Sequence, residues 1–214
     1  MNKQGPNGIP WCDYTWSPIV GCSPASDGCI NCYAAAISKR FHLPWRSARF
    51  MPERLCQPAK VRKPGRIFVC SMADLGHHTV EVDWRAAVCK AMLSAPWHTF
   101  IILTKRPGAW LRELPPSCWV GTTIEAQKYA NRWPTLNGWA WPGAVKFVSV
   151  EPMLAPVSFA DFGGCPDWIV AGPETGPKAR PCDDAWLDAL AAESPVFFDK
   201  RKVWTRREYP QLER

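Results

Sequence analysis

The chain has 214 residues, 47% of them hydrophobic and 21% charged, a composition that suits one globular domain (1–214) and excludes a low-complexity or disordered protein. No apolar run reaches about 18 residues, so no helical membrane span is expected, and the opening Met1-Asn2-Lys3-Gln4-Gly5-Pro6 lacks the apolar segment of a secretory signal, which points to the cytoplasm. The net charge of +7 suits a partner that bears phosphates.

Residues 1–12 are rich in Gly and Pro and read as an irregular arm. Tyr14 to Val20 predicts a short first strand, interrupted by Pro18. A loop with Cys22, Cys29 and Cys32 at spacing C-x6-C-x2-C follows, and Tyr33 to Phe41 predicts the first helix. Residues 42–65 contain Pro44, Pro52, Pro58 and Pro64, so a long basic connection with little helix is expected. Short apolar strands alternate with helical patterns from there on. Strands are expected at Arg66–Cys70, Thr99–Leu103, Cys118–Thr122, Val145–Val150, Trp168–Ala171 and Pro195–Phe198. The helical patterns cover Asp83–Ser94 (Asp83 as N-cap), Pro107–Leu114, Glu125–Leu136 and Asp183–Glu193. A basic tail, 200–214, ends the chain.

Alternating strands and helices imply parallel pairing. Strands apolar throughout, each followed at once by polar residues, fit a partial parallel (β/α)6-type barrel with its active face at the C-terminal rim. A flat doubly wound sheet is the alternative, because local pattern does not report closure. On the barrel reading Ser71, Asp74, Thr104, Lys105, Arg106, Thr122, Glu151, Glu174 and Lys200 converge on one mouth.

Three thiolates in one short loop suit an iron–sulfur cluster or zinc. A closed zinc site takes four protein ligands, whereas a [4Fe–4S] cluster held by three cysteines leaves one iron open for a small molecule. Cys12 is the nearest source of a fourth ligand. Cys70, Cys89 and Cys118 lie in apolar segments and are expected as buried thiols. Adjacent His77 and His78 carry no ligand spacing and are read as non-metal residues.

Thr15-Trp16-Ser17-Pro18, Gly21-Cys22 and Gly28-Cys29-Ile30-Asn31-Cys32-Tyr33-Ala34 resemble the N-terminal signature of the three-Cys-motif phage proteins, a family similar to the radical SAM enzymes. Further matching stretches are Phe68 to Leu75, Leu103 to Pro107, Ser149 to Pro152 and Gly172 to Pro177. The resemblance implies a radical SAM-like fold in which Cys22, Cys29 and Cys32 hold a [4Fe–4S] cluster that cleaves S-adenosylmethionine (SAM) to abstract hydrogen from a substrate. It implies cofactor-binding roles for Ser71, Thr104, Ser149, Gly172 and Glu174, with Lys105 and Glu151 as catalytic residues. Ala171-Gly172-Pro173-Glu174 departs from the usual Gly-Gly-Glu element by a proline that lacks a backbone donor.

The phage setting implies a nucleic acid or nucleotide substrate, with isomerisation of an amino-acid-modified thymine in DNA hypermodification as the specific activity. It also implies an external electron donor and a partner protein encoded nearby. Candidate walls for DNA are Arg46, Arg49, Arg54, Lys60, Arg62 and Lys63 with Trp45, and Lys200, Arg201, Lys202, Arg206 and Arg207 with Trp204. The alternative is a non-catalytic nucleic-acid-binding protein with a structural zinc or iron–sulfur site.

Overall fold

The computed structural model describes residues 1–5, 8–43, 45–162, 164–201 and 206–211. Its strands are β1 (Asn2–Lys3), β2 (Tyr14–Trp16), β3 (Ile19–Val20), β4 (Arg49–Phe50), β5 (Arg66–Val69), β6 (Thr99–Thr104), β7 (Trp119–Thr123), β8 (Lys146–Val150), β9 (Trp168–Ala171) and β10 (Phe197–Asp199). The α-helices are α1 (Tyr33–Arg40), α2 (Val82–Leu93), α3 (Arg132–Trp139) and α4 (Asp184–Glu193). One eight-stranded sheet runs β1-β2-β5-β6-β7-β8-β9-β10. All its pairings are parallel except β1 with β2.

The parallel strands β5 to β10 bury apolar residues on both faces, as a sheet covered on both sides requires. Ile67, Val69, Phe100, Ile102, Val120, Val148, Val150, Ile169 and Phe197 pack into the core on the helix side. Their neighbours Phe68, Ile101, Trp119, Phe147, Trp168, Val170 and Phe198 form a second core with Trp11. This second core reports the sheet's shape. The Trp11 ring lies 4.8 Å from that of Phe68 on β5 and 6.3 Å from that of Trp168 on β9. Those strands stand four places apart, about 19 Å in a flat sheet at the usual spacing, so one indole reaches both only because the sheet is strongly curved. Among the described residues no hydrogen-bonded pairing joins β10 back to β1 or β2.

Several expectations change in detail. Pro18 divides the first segment into β2, in the main sheet, and β3, which pairs with β4 in the basic connection. Asp83 lies inside the first turn of α2 rather than at its cap, where its charge still faces the helix's positive end. Residues 125–136 do not form one helix. Pro134 lacks an N–H and would clash with the preceding turn, so α3 starts at Arg132 and leaves Glu125 on the connection after β7. The C-terminal segment returns beside β10, where Phe198 bridges to Arg207 and Tyr209 packs on Trp168 and Phe198. Lys202 and Trp204 lie outside the described residues. Among the described residues no helix is long and apolar enough to cross a membrane.

Candidate functional site

The connections that follow the parallel strands open onto one cleft of about 270 Å³. Its walls include Cys22, Cys29 and Cys32 of the cysteine loop, Ser71 and Asp74 after β5, Thr104, Lys105 and Arg106 at the end of β6, Ser149 and Glu151 at β8, Glu174 after β9 and Lys200 after β10. Trp11, Trp45, Phe68 and Leu103 add apolar surface. Thr122, expected at the mouth, is instead buried with its hydroxyl donating to the Thr104 carbonyl, and of the expected catalytic, cofactor and metal residues only Gly172 is not a wall residue. It sits behind the wall, where a Cβ would fall 2.7 Å from that of Lys200.

The cysteine loop lies across this rim and is tied down from several strands. Gly21, at φ 93°, turns the chain into Cys22 through a backbone conformation that costs glycine little. Three arginines then hold alternate carbonyls of the loop. Arg106 donates to Ser23 O at 2.8 Å, Arg132 to Ala25 O at 3.3 Å and Arg180 to Asp27 O at 3.1 Å. Each is itself ion-paired: Arg106 with Asp74, Arg132 with Glu125 and Arg180 with Glu174. A buried carboxylate thus fixes each guanidinium, and the guanidinium fixes the loop. His77 adds a fourth brace, its Nε2 2.7 Å from Ser23 Oγ, while its Nδ1 accepts from the Thr79 N–H. That bonding accounts for His77 without a metal.

Glu125 was not among the expected site residues, because it was assigned to the start of a helix. Its side chain is 0% exposed. It accepts from the Lys105 ammonium, the Ser26 hydroxyl and Arg132. Gly28 packs directly on it, and a Cβ there would fall 2.7 Å from Glu125 Cγ. The legible signal was its place immediately after an apolar strand, the same place held by Glu151 and Glu174.

The expected cofactor residues are largely engaged with the protein itself. Thr104 donates to Asp74 at 2.6 Å, and the Ser71 hydroxyl lies 3.3 Å from that of Ser17. Ser149 and Trp11 Nε1 both donate to Glu151 Oε2 at 3.2 Å, and Lys200 pairs with the other carboxylate oxygen. Lys200 is therefore part of the cleft wall, not the start of a free tail. Arg201 and Arg206 are likewise neutralised, by Asp184, Asp188 and Asp199 and by Glu208.

Glu174 accepts from Asn31 and from Arg180 on both oxygens, and the Arg180 side chain holds its carboxyl down to about 2. A depressed carboxylate stabilises the fold above its ordinary value of 4.5, and the contribution disappears as pH falls through the folded value near 2. The stability difference between the wild type and Arg180→Ala is accordingly expected to be full near neutrality and to shrink between those two values. Urea melts across that range check it; a constant difference would show that the pair does not act through ionisation.

The three thiols differ in their surroundings. Burial and nearby Asp74 push Cys22 up against the pull of Arg106, whose Nη1 lies 3.8 Å from the sulfur. Burial would also raise Cys29, but the Lys105 ammonium, 3.5 Å away, and donors from Ala25 and Ser26 outweigh it and bring the thiol down. All three are free of disulfides. Among the described residues no three His, Cys, Asp or Glu side chains are gathered at metal-ligand distance. Cys12 is buried in the aromatic core beneath the rim, its thiol pushed up to about 12 by burial and by Asp13, and it is not a wall residue of the cleft.

The fold and site define a class: a mixed α/β protein whose curved, mostly parallel sheet carries a cysteine-lined cleft at its C-terminal rim. The chain belongs to a family described as a protein of unknown function (DUF5131), which matches residues 6–209. No curated protein and no solved structure matches it significantly.

Proposed function

We propose that this protein is a radical SAM enzyme built on a partial barrel, with Cys22, Cys29 and Cys32 as the ligands of a [4Fe–4S] cluster and SAM bound across the cleft. One arrangement supports the reading: three unpaired thiols of a single anchored loop share a cleft with charged residues from the ends of five parallel strands. The donor set fits the cluster, since soft thiolates suit iron–sulfur chemistry and two cationic side chains stand beside them to offset its charge. When bound, the cluster with its open iron would supply the electron that cleaves SAM.

The protein's own residues supply position and charge. Arg106, Arg132 and Arg180 hold the loop, with Asp74, Glu125 and Glu174 behind them. Lys105 stands beside Cys29 as a fixed positive charge. Glu151 and Lys200 present a charge pair to the cleft, and Trp11, Phe68 and Trp45 offer apolar surface for a ring and exclude water. Glu174, being saturated by Arg180 and Asn31, serves the loop in this reading rather than the cofactor's amino group. The substrate class is a nucleotide or a base within nucleic acid, with thymine-substituent isomerisation as its most specific form. A structural zinc site is disfavoured because Cys12, its simplest fourth ligand, is directed into the core.

The test is anaerobic loading with iron and sulfide, followed by reduction in the presence of SAM. Close to four irons per chain and release of 5′-deoxyadenosine are expected for a [4Fe–4S] site. A protein that takes up zinc alone, or that loads iron without forming 5′-deoxyadenosine, would overturn the proposal.

A further inference from the structure

The surface beside the cysteine loop has an unusual composition. Among the described residues six large apolar side chains are exposed, and four of them, Ile30, Tyr33, Ile37 and Phe41, lie within one loop and helix. Steps of three, four and four residues run from Ile30 through Tyr33 and Ile37, on one face of α1, to Phe41 at its C-cap. Ile30, between Cys29 and Cys32, is 73% exposed and Phe41 is 60% exposed. Covering such a stripe would remove apolar surface from water, which is the usual mark of an interaction site.

Charge around the stripe indicates the partner. Residues 28–73 carry nine Lys and Arg but a single acidic residue, Glu53, and of the nine, Arg54 and Arg66 are ion-paired, with Glu53 and Asp13. The rest of the chain is close to neutral, so this stretch holds the whole positive excess. Lys39, Arg40, Arg46 and Arg49 are exposed, and among the described residues none forms an ion pair, whereas Arg85, Arg106, Arg132, Arg180, Arg201 and Arg206 all do. An apolar strip with an unneutralised cationic border fits a protein surface with an apolar centre ringed by carboxylates. Aliphatic Ile30 and Ile37 favour such a surface over nucleic acid, whose bases stack on aromatic rings.

We infer that α1 and the adjoining connection form the docking surface for an acidic one-electron carrier protein. The inference rests on the cluster reading above: the stripe starts between two of its cysteines, so a partner seated there stands beside the redox centre. One electron would pass from the carrier to the cluster, oxidising the first and reducing the second, with no atom exchanged.

Binding of a purified flavodoxin, an acidic low-potential carrier, to the iron-loaded protein tests this by calorimetry across a salt series. Binding is expected to weaken as salt screens the charges. Ile37→Glu with Phe41→Glu should weaken it by about tenfold or more. Arg40→Glu with Arg46→Glu should do the same and flatten the salt dependence. Val82→Glu, at the exposed start of α2, should leave it unchanged, and iron content should be unchanged in every variant. Equal binding by all variants would overturn the inference. So would tighter, Ile37- and Phe41-dependent binding of a single-stranded oligonucleotide, or a self-association that those substitutions abolish. A protein that binds flavodoxin but takes up no iron would sink the cluster and keep the surface; iron uptake without flavodoxin binding would do the reverse.

Discussion

Conversion of Cys22, Cys29 or Cys32 to alanine, one at a time, is expected to lower iron retention and 5′-deoxyadenosine formation by about 100-fold or more, because even the partners that orient metal ligands are worth roughly 10–100-fold. The fold should survive. The three thiols are half-buried on a loop at a cleft wall, outside both hydrophobic cores. Removing one sulfur there costs about 1 kcal/mol at most, the ordinary range for a residue that fills no core position. Cys56→Ala and Cys165→Ala, at exposed positions, provide the comparison and should leave iron uptake unchanged. Loss of iron equally in all five variants would mean adventitious binding, and retention in the three loop variants would sink the assignment of ligands.

Replacing Glu125 by alanine is expected to produce the largest loss of stability of any single change at the rim. The substitution strips the counter-charge from both Lys105 and Arg132, whose side chains are only 19% and 11% exposed. Breaking such a buried arrangement from one side costs about 3–5 kcal/mol, because the remaining charges are left uncompensated. For a chain of this size that corresponds to a melting temperature lower by roughly 6–20 °C. Glu125→Gln, which keeps hydrogen bonding but not charge, should fall between. Adding Lys105→Met to Glu125→Ala should recover part of the loss by removing one unpaired cation. Melting curves measure all three. A Glu125→Ala protein that melts with the wild type would show that the loop is held without this group.

The two effects are linked through the loop. Asp74, Glu125 and Glu174 each follow a strand, each fixes an arginine, and each arginine takes a carbonyl from the stretch Ser23–Asp27. Long range is what makes this device effective: Arg180 reaches Asp27 across 153 positions of sequence, so the loop cannot loosen without breaking contacts to several strands.

Much of this was legible from the sequence. Apolar runs such as Thr99–Leu103 and Trp168–Ala171 fall within observed strands, because a strand buried on both faces needs apolar residues at consecutive positions. Polar residues directly after those runs mark the rim for the same reason, since burial ends where the sheet ends. The cysteine spacing and the cleft position of Lys105, Glu151 and Glu174 followed from these local patterns. What only the tertiary structure decided is partnership. Sequence showed Glu174 as a carboxylate at the rim but not that Arg180 and Asn31 saturate it, and it counted Lys200, Arg201 and Arg206 as free cations although carboxylates neutralise them. Glu125 was misplaced on a helix because the helical pattern was extended N-terminal of Pro134, whereas α3 starts only at Arg132 and carries Pro134 in its first turn. A partial barrel was expected from the strand pattern, but local pattern did not report closure, which depends on how distant strands meet. Local pattern fixes which face a residue takes; the identity of its charged neighbour depends on chain segments tens of residues away and is settled only when they pack.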